Sequence, residues 1–451
     1  MSARRVLVIS DLHLGGDAPR MMSRPAILAD FIDRAPDILA GDEELELIIA
    51  GDFIDFLAIE PNRCWTPDPL EAVTKLRKTT VKPPFDVVFA ALAKFVASGH
   101  GLTILLGNHD VELALPDVQD ALLSDIGATR RQVLFFDDGR AYRVGKALIE
   151  HGNRYDGANE NDWDGLRAIA SAHSRNEAPK TRLKVSFGSQ IVERVVCLIK
   201  RSYPFIDLLQ PQGELVALLL LAFEPSLIWN LRSILQLHRA DLLQRRNAEG
   251  LQPGETRHVA FSSLEDGDDT DLKYAFGPVY ERLRRTSQEV GLRDVVAAAW
   301  SAREDSLTKI LDRGDRIPQE RLQQIRVVMR RLLLDDESAR LDGETGPYGK
   351  AAERLIELGK GRVQTVVMGH THLAREIGPP GRASYINTGT WADVVRVPAP
   401  ILEEGADREL EDFLRKLKSD IRPPPVPTYA ELCIEPGGDV SLARLGKVEQ
   451  S

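Results

Sequence analysis

Five short apolar runs along the chain share one design: RVLVIS before Asp11, ELELIIAG before Asp52, LTILLG before Asn108, KALIE before His151 and TVVMG before His370. Each is strand-length, rich in Val, Ile and Leu, and bounded by Gly or a polar residue, which is how strands buried on both faces read. Between the first of them the apolar spacing turns helical, in PAILADFIDRA (Pro25 to Ala35) and FDVVFAALAKFVASG (Phe85 to Gly99). The second pattern opens after Pro83 and Pro84 and stops at Gly99, as helices tend to. Strands alternating with helices predict a largely parallel sheet, whose ligands bind outside the carboxyl ends of the strands. From about Asp164 to Lys360 long, mostly helical segments replace this alternation and read as an insertion. After His370 come ASYINTGTW and TYAELCIEPGGDVSLARL, a hairpin pattern turning at Pro436, Gly437 and Gly438. The stretch linking them predicts one amphipathic helix and a Pro-rich exit. The expected organisation is thus a core in two parts, 1–163 and 361–451, with a helical insertion over 164–360.

Polar residues crowd the ends of the five strands, and they move the reading from fold to chemistry. In order they are Asp11 and His13, Asp52 and Asp55, Asn108, His109 and Asp110, His151, then His370 and His372; five of the nine histidines fall here. Imidazole, carboxylate and amide oxygen together suit Mn, Fe, Co or Zn better than Mg or Ca alone, with manganese the first choice. Seven candidate ligands are too many for one ion. Two ions roughly 3.5–4 Å apart can bind a phosphoryl oxygen and activate a water, and a carboxylate can bridge them where an imidazole cannot, so Asp52 is the natural bridge. Asp110 has two readings, as a cap for the VELALPDV helix that follows or as support for the site. Asn153 and Arg154 follow His151 closely enough to reach a substrate phosphate, with a surface role the alternative. His100, His173, His238 and His258 have no partners at ligand spacing and read as ordinary histidines.

Composition narrows the partners. The chain has 451 residues and a formal net charge of −10, which argues against holding nucleic acid through a general positive field. Cys64, Cys197 and Cys433 lie far apart without metal-type spacing, so a reducing, cytoplasmic compartment fits, and the MSARR start shows no signal peptide. The most apolar segment, Leu215 to Phe223, is interrupted by Glu224 and Pro225, well short of the roughly 20 residues a membrane span needs. It reads as the buried face of a helical subdomain. The alternative is a greasy lid or a peripheral membrane contact, with Arg232, Arg239, Arg245 and Arg246 facing headgroups.

The ordered series D-x-H, G-D-x-x-D, G-N-H-[DE], a lone His after a strand, and G-H-x-H resembles the calcineurin-like metallophosphoesterases, over roughly residues 4–160 and 362–395. The resemblance implies a two-sheet α/β sandwich flanked by helices. It implies one ion on Asp11, His13, Asp52 and His372 and a second on Asp52, Asn108, His151 and His370. His109 would protonate the leaving oxygen or stabilise the phosphate, and Asp55 would orient it. Phe56 stands where the protein phosphatases of the family carry Arg. SDLHLGG and GDFIDF look more like the branch of the UDP-2,3-diacylglucosamine pyrophosphatases, although those usually show G-N-R-D and H-G-D where this chain has G-N-H-D and H-G-N. The expected activity is hydrolysis of a phosphodiester or pyrophosphate bond by metal-bound hydroxide on a substrate with an apolar portion. Phosphomonoester hydrolysis, a nuclease and a non-catalytic scaffold of the same fold are the alternatives, and the oligomeric state is left open.

Overall fold

Alternation along the strands decides where each layer lies. In β1 (Arg4–Ile9), Val6 and Val8 face one apolar cluster while Leu7 and Ile9 face another, as the two-residue period of a strand requires. The same split runs through β2 (Glu44–Ala50), with Ile48 and Ala50 on the first side and Leu47 and Ile49 on the second. Both faces are therefore covered by apolar neighbours, and the runs read as continuous rather than alternating.

The computed structural model describes residues 2–449 except 18–19, 158, 198–199, 201, 204–205, 207, 211–221, 225–305, 335–345, 420–421 and 423–424. β1, β2, β3 (Gly101–Leu105) and β4 (Val133–Phe136) run parallel in one six-stranded sheet. Its other edge is the hairpin β12 (Thr428–Ile434) and β13 (Val440–Lys447), with β12 antiparallel to β1. A five-stranded sheet follows the order β5 (Tyr142–Val144), β6 (Ala147–Ile149), β8 (Thr365–Met368), β10 (Tyr385–Asn387) and β9 (Arg375–Ile377), its central three strands parallel. The inner faces of the two sheets meet through Val6, Val8, Ile48, Leu105, Ile149, Val367, Ile386 and Leu432. Helices Pro25–Arg34 and Asp86–Ala97 cover the outer face of the first sheet. The helix Pro347–Gly359 covers the second, with Tyr348 and Ala352 against Val366 and Met368. The result is the mixed α/β sandwich of two sheets between helix layers that the strand runs and their resemblance implied.

The VELALPDV segment differs from its sequence reading. Val111–Ala114 is a single 3-10 turn and the α-helix begins only at Pro116, running to Asp125. Pro116 occupies the first helical turn, where its missing N–H costs nothing.

A separate apolar cluster gathers Met21, Tyr203, Leu208, Phe223 and Leu307 with Ile325 and Met329 of the helix Gln319–Leu334. Its other side is Val395, Leu402 and the apolar face of the helix Asp407–Lys418, through Leu410, Leu414 and Leu417. The amphipathic linker helix is thus buried against this cluster. A short parallel pair joins β7 (Leu209–Gln210) to β11 (Val395–Arg396). Of the run Leu215 to Phe223, only Ala222 and Phe223 are described, both buried; His238, His258 and the four arginines Arg232, Arg239, Arg245 and Arg246 lie outside the described residues. No helix among the described residues is long and apolar enough to cross a membrane.

Candidate metal centre

Five of the parallel strands, three from one sheet and two from the other, end at the residues that carry the chemistry. Asp11 and His13 follow β1, Asp52 follows β2, Asn108 follows β3, His151 follows β6 and His370 follows β8. At those ends the chain turns in an unusual way. Asp11, His13, Asp52, His370 and His372 all have positive φ, between 46° and 72°, and they are five of the seven non-glycine residues of that kind among the described residues. Such backbone costs on the order of 1–3 kcal/mol at each position and persists only where the surroundings enforce it. Here the enforcement is a backbone lock between the first two loops: Leu12 and His13 N–H both donate to Asp52 O at 2.9 Å, and Leu14 N–H donates to Phe53 O at 3.0 Å.

The motif glycines make room for these side chains. A Cβ on Gly107 would overlap the Asp52 carboxylate, one on Gly369 would overlap Ser10 and Asp11, and one on Gly51 would lie 2.5 Å from the His151 ring. The glycine that opens each of these motifs is therefore a packing requirement of a polar site.

Three clusters of donor atoms result: Asp11 with His13 and His372, Asp52 with His151 and His370, and His13 with Asp55 and His109. In the first, His13 Nε2 and His372 Nε2 lie 3.0 Å apart and His372 Nε2 lies 3.3 Å from Asp11 Oδ1. In the second, His151 Nε2 is 3.3 Å from both Asp52 Oδ2 and Asn108 Oδ1. Asp52 Oδ2 is also 3.8 Å from His13 Nε2, so Asp52 stands between the two groups, while its Oδ1 accepts from His109 N–H at 2.9 Å. Donor atoms around one ion with bonds near 2.0–2.2 Å sit roughly 3 Å apart. Two buried imidazole nitrogens facing each other can share at most one proton, whereas a cation between them satisfies both and the carboxylate as well. The donor set fits two divalent ions.

The electrostatics point the same way. Burial, reinforced by His109, pushes the pKa of His13 down to about 3, so its imidazole is neutral, the form that binds metal. Burial works against charge on His151 too, but Asp52, a hydrogen bond to it, and Asp11 outweigh that and raise it to about 10. A divalent cation beside Asp52 would displace this proton. Asp52 itself is held well below the usual carboxylate range, because His151 and His109 overcome its burial. His109 Nδ1 lies 3.1 Å from Asp55 Oδ1, and Asp52 and Asp55 together overcome burial to raise His109 to about 9. Asp55 is lowered to about 2, its burial opposed by His109 first, then His13 and Lys200.

Asp110 does not cap the turn after it. Its two oxygens accept from Gly107 N–H at 2.6 Å and from Phe53 N–H at 2.7 Å, tying together the loops that carry Asn108 and Asp52. Asn153 is buried, its amide donating to Asn159 O at 3.0 Å, and Arg154 donates to Gly139 O.

Several residues that the sequence did not single out also hold the site. Ser10 Oγ donates to Asp11 and lies 2.6 Å from Thr388 Oγ1, and Thr390 Oγ1 donates to Asp11 O at 2.8 Å. Asp156 Oδ2 lies 3.1 Å from His370 Nε2, and the Tyr348 ring lies 6.3 Å from that of His370. The cluster of Asp and Asn in RYDGANEND was the available signal, but nothing in its spacing names His370 as the partner.

A sandwich whose parallel strands deliver histidines, carboxylates and an amide to one edge defines a metal-binding α/β protein. Residues 4–185 match the family model of the calcineurin-like phosphoesterases, and the chain carries a domain of that family. The match ends before His370 and His372, which the fold brings to the same edge. No curated protein matches the chain. The family match over residues 4–185 and the His/Asp clusters together point to metal-dependent phosphoester hydrolysis.

Proposed function

We propose that the protein hydrolyses a phosphodiester or pyrophosphate bond with two divalent ions, manganese first among them. Asp11, His13, Asp52 and His372 would hold one ion, and Asp52, Asn108, His151 and His370 the other. The supporting observation is the position of Asp52, 3.3 Å from a histidine of one cluster and 3.8 Å from a histidine of the other. When bound, such a pair supplies positive charge to the phosphoryl oxygens and acidifies the attacking water.

The remaining work falls to the chain. His109 is 17% exposed in its side chain, the most of the five site imidazoles, against 1% for His13 and 9% for His370. Donation of its Nδ1–H to Asp55 leaves Nε2 to carry the proton toward the leaving oxygen, and the neighbouring carboxylates keep that proton in place. Asp55 fixes the ring's orientation. The buried backbone lock between the loops of Asp11 and Asp52 keeps the donor atoms from relaxing apart.

Residues 164–360 are proposed as the region that covers this site and selects a substrate with an apolar portion. Tyr348 beside His370 and the field of Lys200 at Asp55 support that placement. The test is metal analysis of the purified chain, followed by turnover of bis-p-nitrophenyl phosphate against p-nitrophenyl phosphate after chelation and return of Mn. Two ions per chain and Mn-dependent turnover favouring the diester are expected. Full turnover after chelation, or a preference for the monoester, would overturn the reading.

A further inference from the structure

The stretch after His151 is tied down by side chains on every available side. Asn153 donates to Asn159 O, Asn159 Nδ2 donates to Asp156 Oδ2 at 2.7 Å, and Asn161 Nδ2 donates at 2.8 Å to Gly107 O, the residue before Asn108. The same Asp156 oxygen lies 3.1 Å from His370 Nε2. One short stretch therefore reaches His370 of the second cluster directly and the backbone that carries Asn108, besides the histidine that precedes it.

An imidazole has one proton and one lone pair when neutral, and the partner of one nitrogen decides which nitrogen keeps the lone pair. A carboxylate accepts only. With Asp156 on Nε2, His370 must carry its proton there, which leaves Nδ1 as its metal-binding atom. The contact is a poor candidate for stabilising the fold, because Asp156 is 30% exposed in its side chain and pairs of that kind add little. It is a good candidate for orienting a ring, because His370 is only 9% exposed and one of its nitrogens is fully engaged. Gly152, with φ of 110°, opens the tight turn Asn153–Tyr155 after His151, and Asp156 N–H closes it by donating to Asn153 O at 3.1 Å.

We propose that Asp156 is a positioning residue: through Nε2 it fixes the tautomer and ring angle of His370 and so sets the affinity of the second cluster for its ion. This rests on the two-ion reading above. The experiment is a calorimetric titration of the chelator-stripped full chain with Mn2+ alone, for wild type, Asp156→Asn and Asp156→Glu, with KM and kcat measured alongside. Asp156→Asn should weaken one of the two Mn2+ sites about 10- to 100-fold and leave the other unchanged. Its kcat at saturating Mn2+ should fall while KM stays, and Asp156→Glu should recover part of the lost affinity. Unchanged affinity at both sites in Asp156→Asn, or equal weakening of both with a lowered melting temperature, overturns the proposal and leaves the two-ion reading standing. A wild-type chain that takes up no Mn2+ overturns both.

Discussion

The two donor clusters sit a few ångströms apart yet are built differently. In the second, the imidazole nitrogens away from the cluster are engaged: His151 Nδ1 lies 2.8 Å from Ala50 O and His370 Nε2 lies 3.1 Å from Asp156. In the first, His13 Nδ1 and His372 Nδ1 are both buried without a hydrogen-bond partner among the described residues. Asp55 Oδ2 lies 3.9 Å from His13 Nδ1, too long for a bond. A buried imidazole with an unmet N–H costs roughly 1–3 kcal/mol, so the first cluster holds its rings by packing and by the strained backbone of Asp11, His13 and His372. The outer ring nitrogens of the second cluster are held by hydrogen bonds, and those of the first are not.

The largest effect should come from the residue the clusters share. Asp52→Asn removes charge from between them and should lower bound metal at both positions, with activity below that of any other variant; two tightly held ions and near-normal turnover would break the comparison at its root. His109→Ala should retain both ions and lose on the order of 10²–10⁴ in kcat, the span of a positioned proton donor. Loss of an ion on this substitution would move His109 among the ligands. Asp55→Asn should give a milder form of the same defect, seen in kcat at unchanged metal content.

Graded chelation sharpens the contrast directly. On dialysis against increasing chelator, the ion of the first cluster should leave before that of the second. His372→Ala should abolish the early-leaving ion and His370→Ala the late one. Simultaneous release in wild type would mean that second-layer hydrogen bonds do not distinguish the clusters. The smallest effect is expected at Asp110. Asp110→Asn keeps one acceptor oxygen but turns an NH2 toward a backbone N–H, so thermal denaturation should show a loss of about 1–3 kcal/mol with both ions retained.

What the chain's pattern disclosed follows from locality. β1, β2, β3, β6 and β8 announce themselves because a strand buried on both faces is continuous in sequence, and the β12–β13 hairpin because Pro436, Gly437 and Gly438 punctuate it. The strand-end residues could be collected in order for the same reason, each being attached to such a run. Asp110, Asp156, Ser10 and Thr390 were harder, since each acts on a group that adjacent residues do not identify: Asp110 on Phe53, Asp156 on His370 and Thr390 on Asp11. The cluster of Met21, Tyr203, Ile325 and Leu414 was equally hidden, because four distant segments share it and none shows more than an ordinary amphipathic face.

The pairing of β1 with β12 fixes when this protein can come into being. β1 lies between β2 and a strand more than 400 residues downstream, with Arg4 opposite Ile434. While the chain is still emerging from the ribosome, the first four parallel strands can assemble, but β1 is left as an open apolar edge, and Val6, Val8 and Ile48 await the second sheet. Such an edge invites pairing with other chains. Late closure by the C-terminal hairpin seals that edge, and only the same late stretch of chain brings His370 and His372 to Asp11. Completion of the donor set and sealing of that edge thus both wait on the part of the chain from β8 onward, and a nascent chain stalled before β8 would have neither.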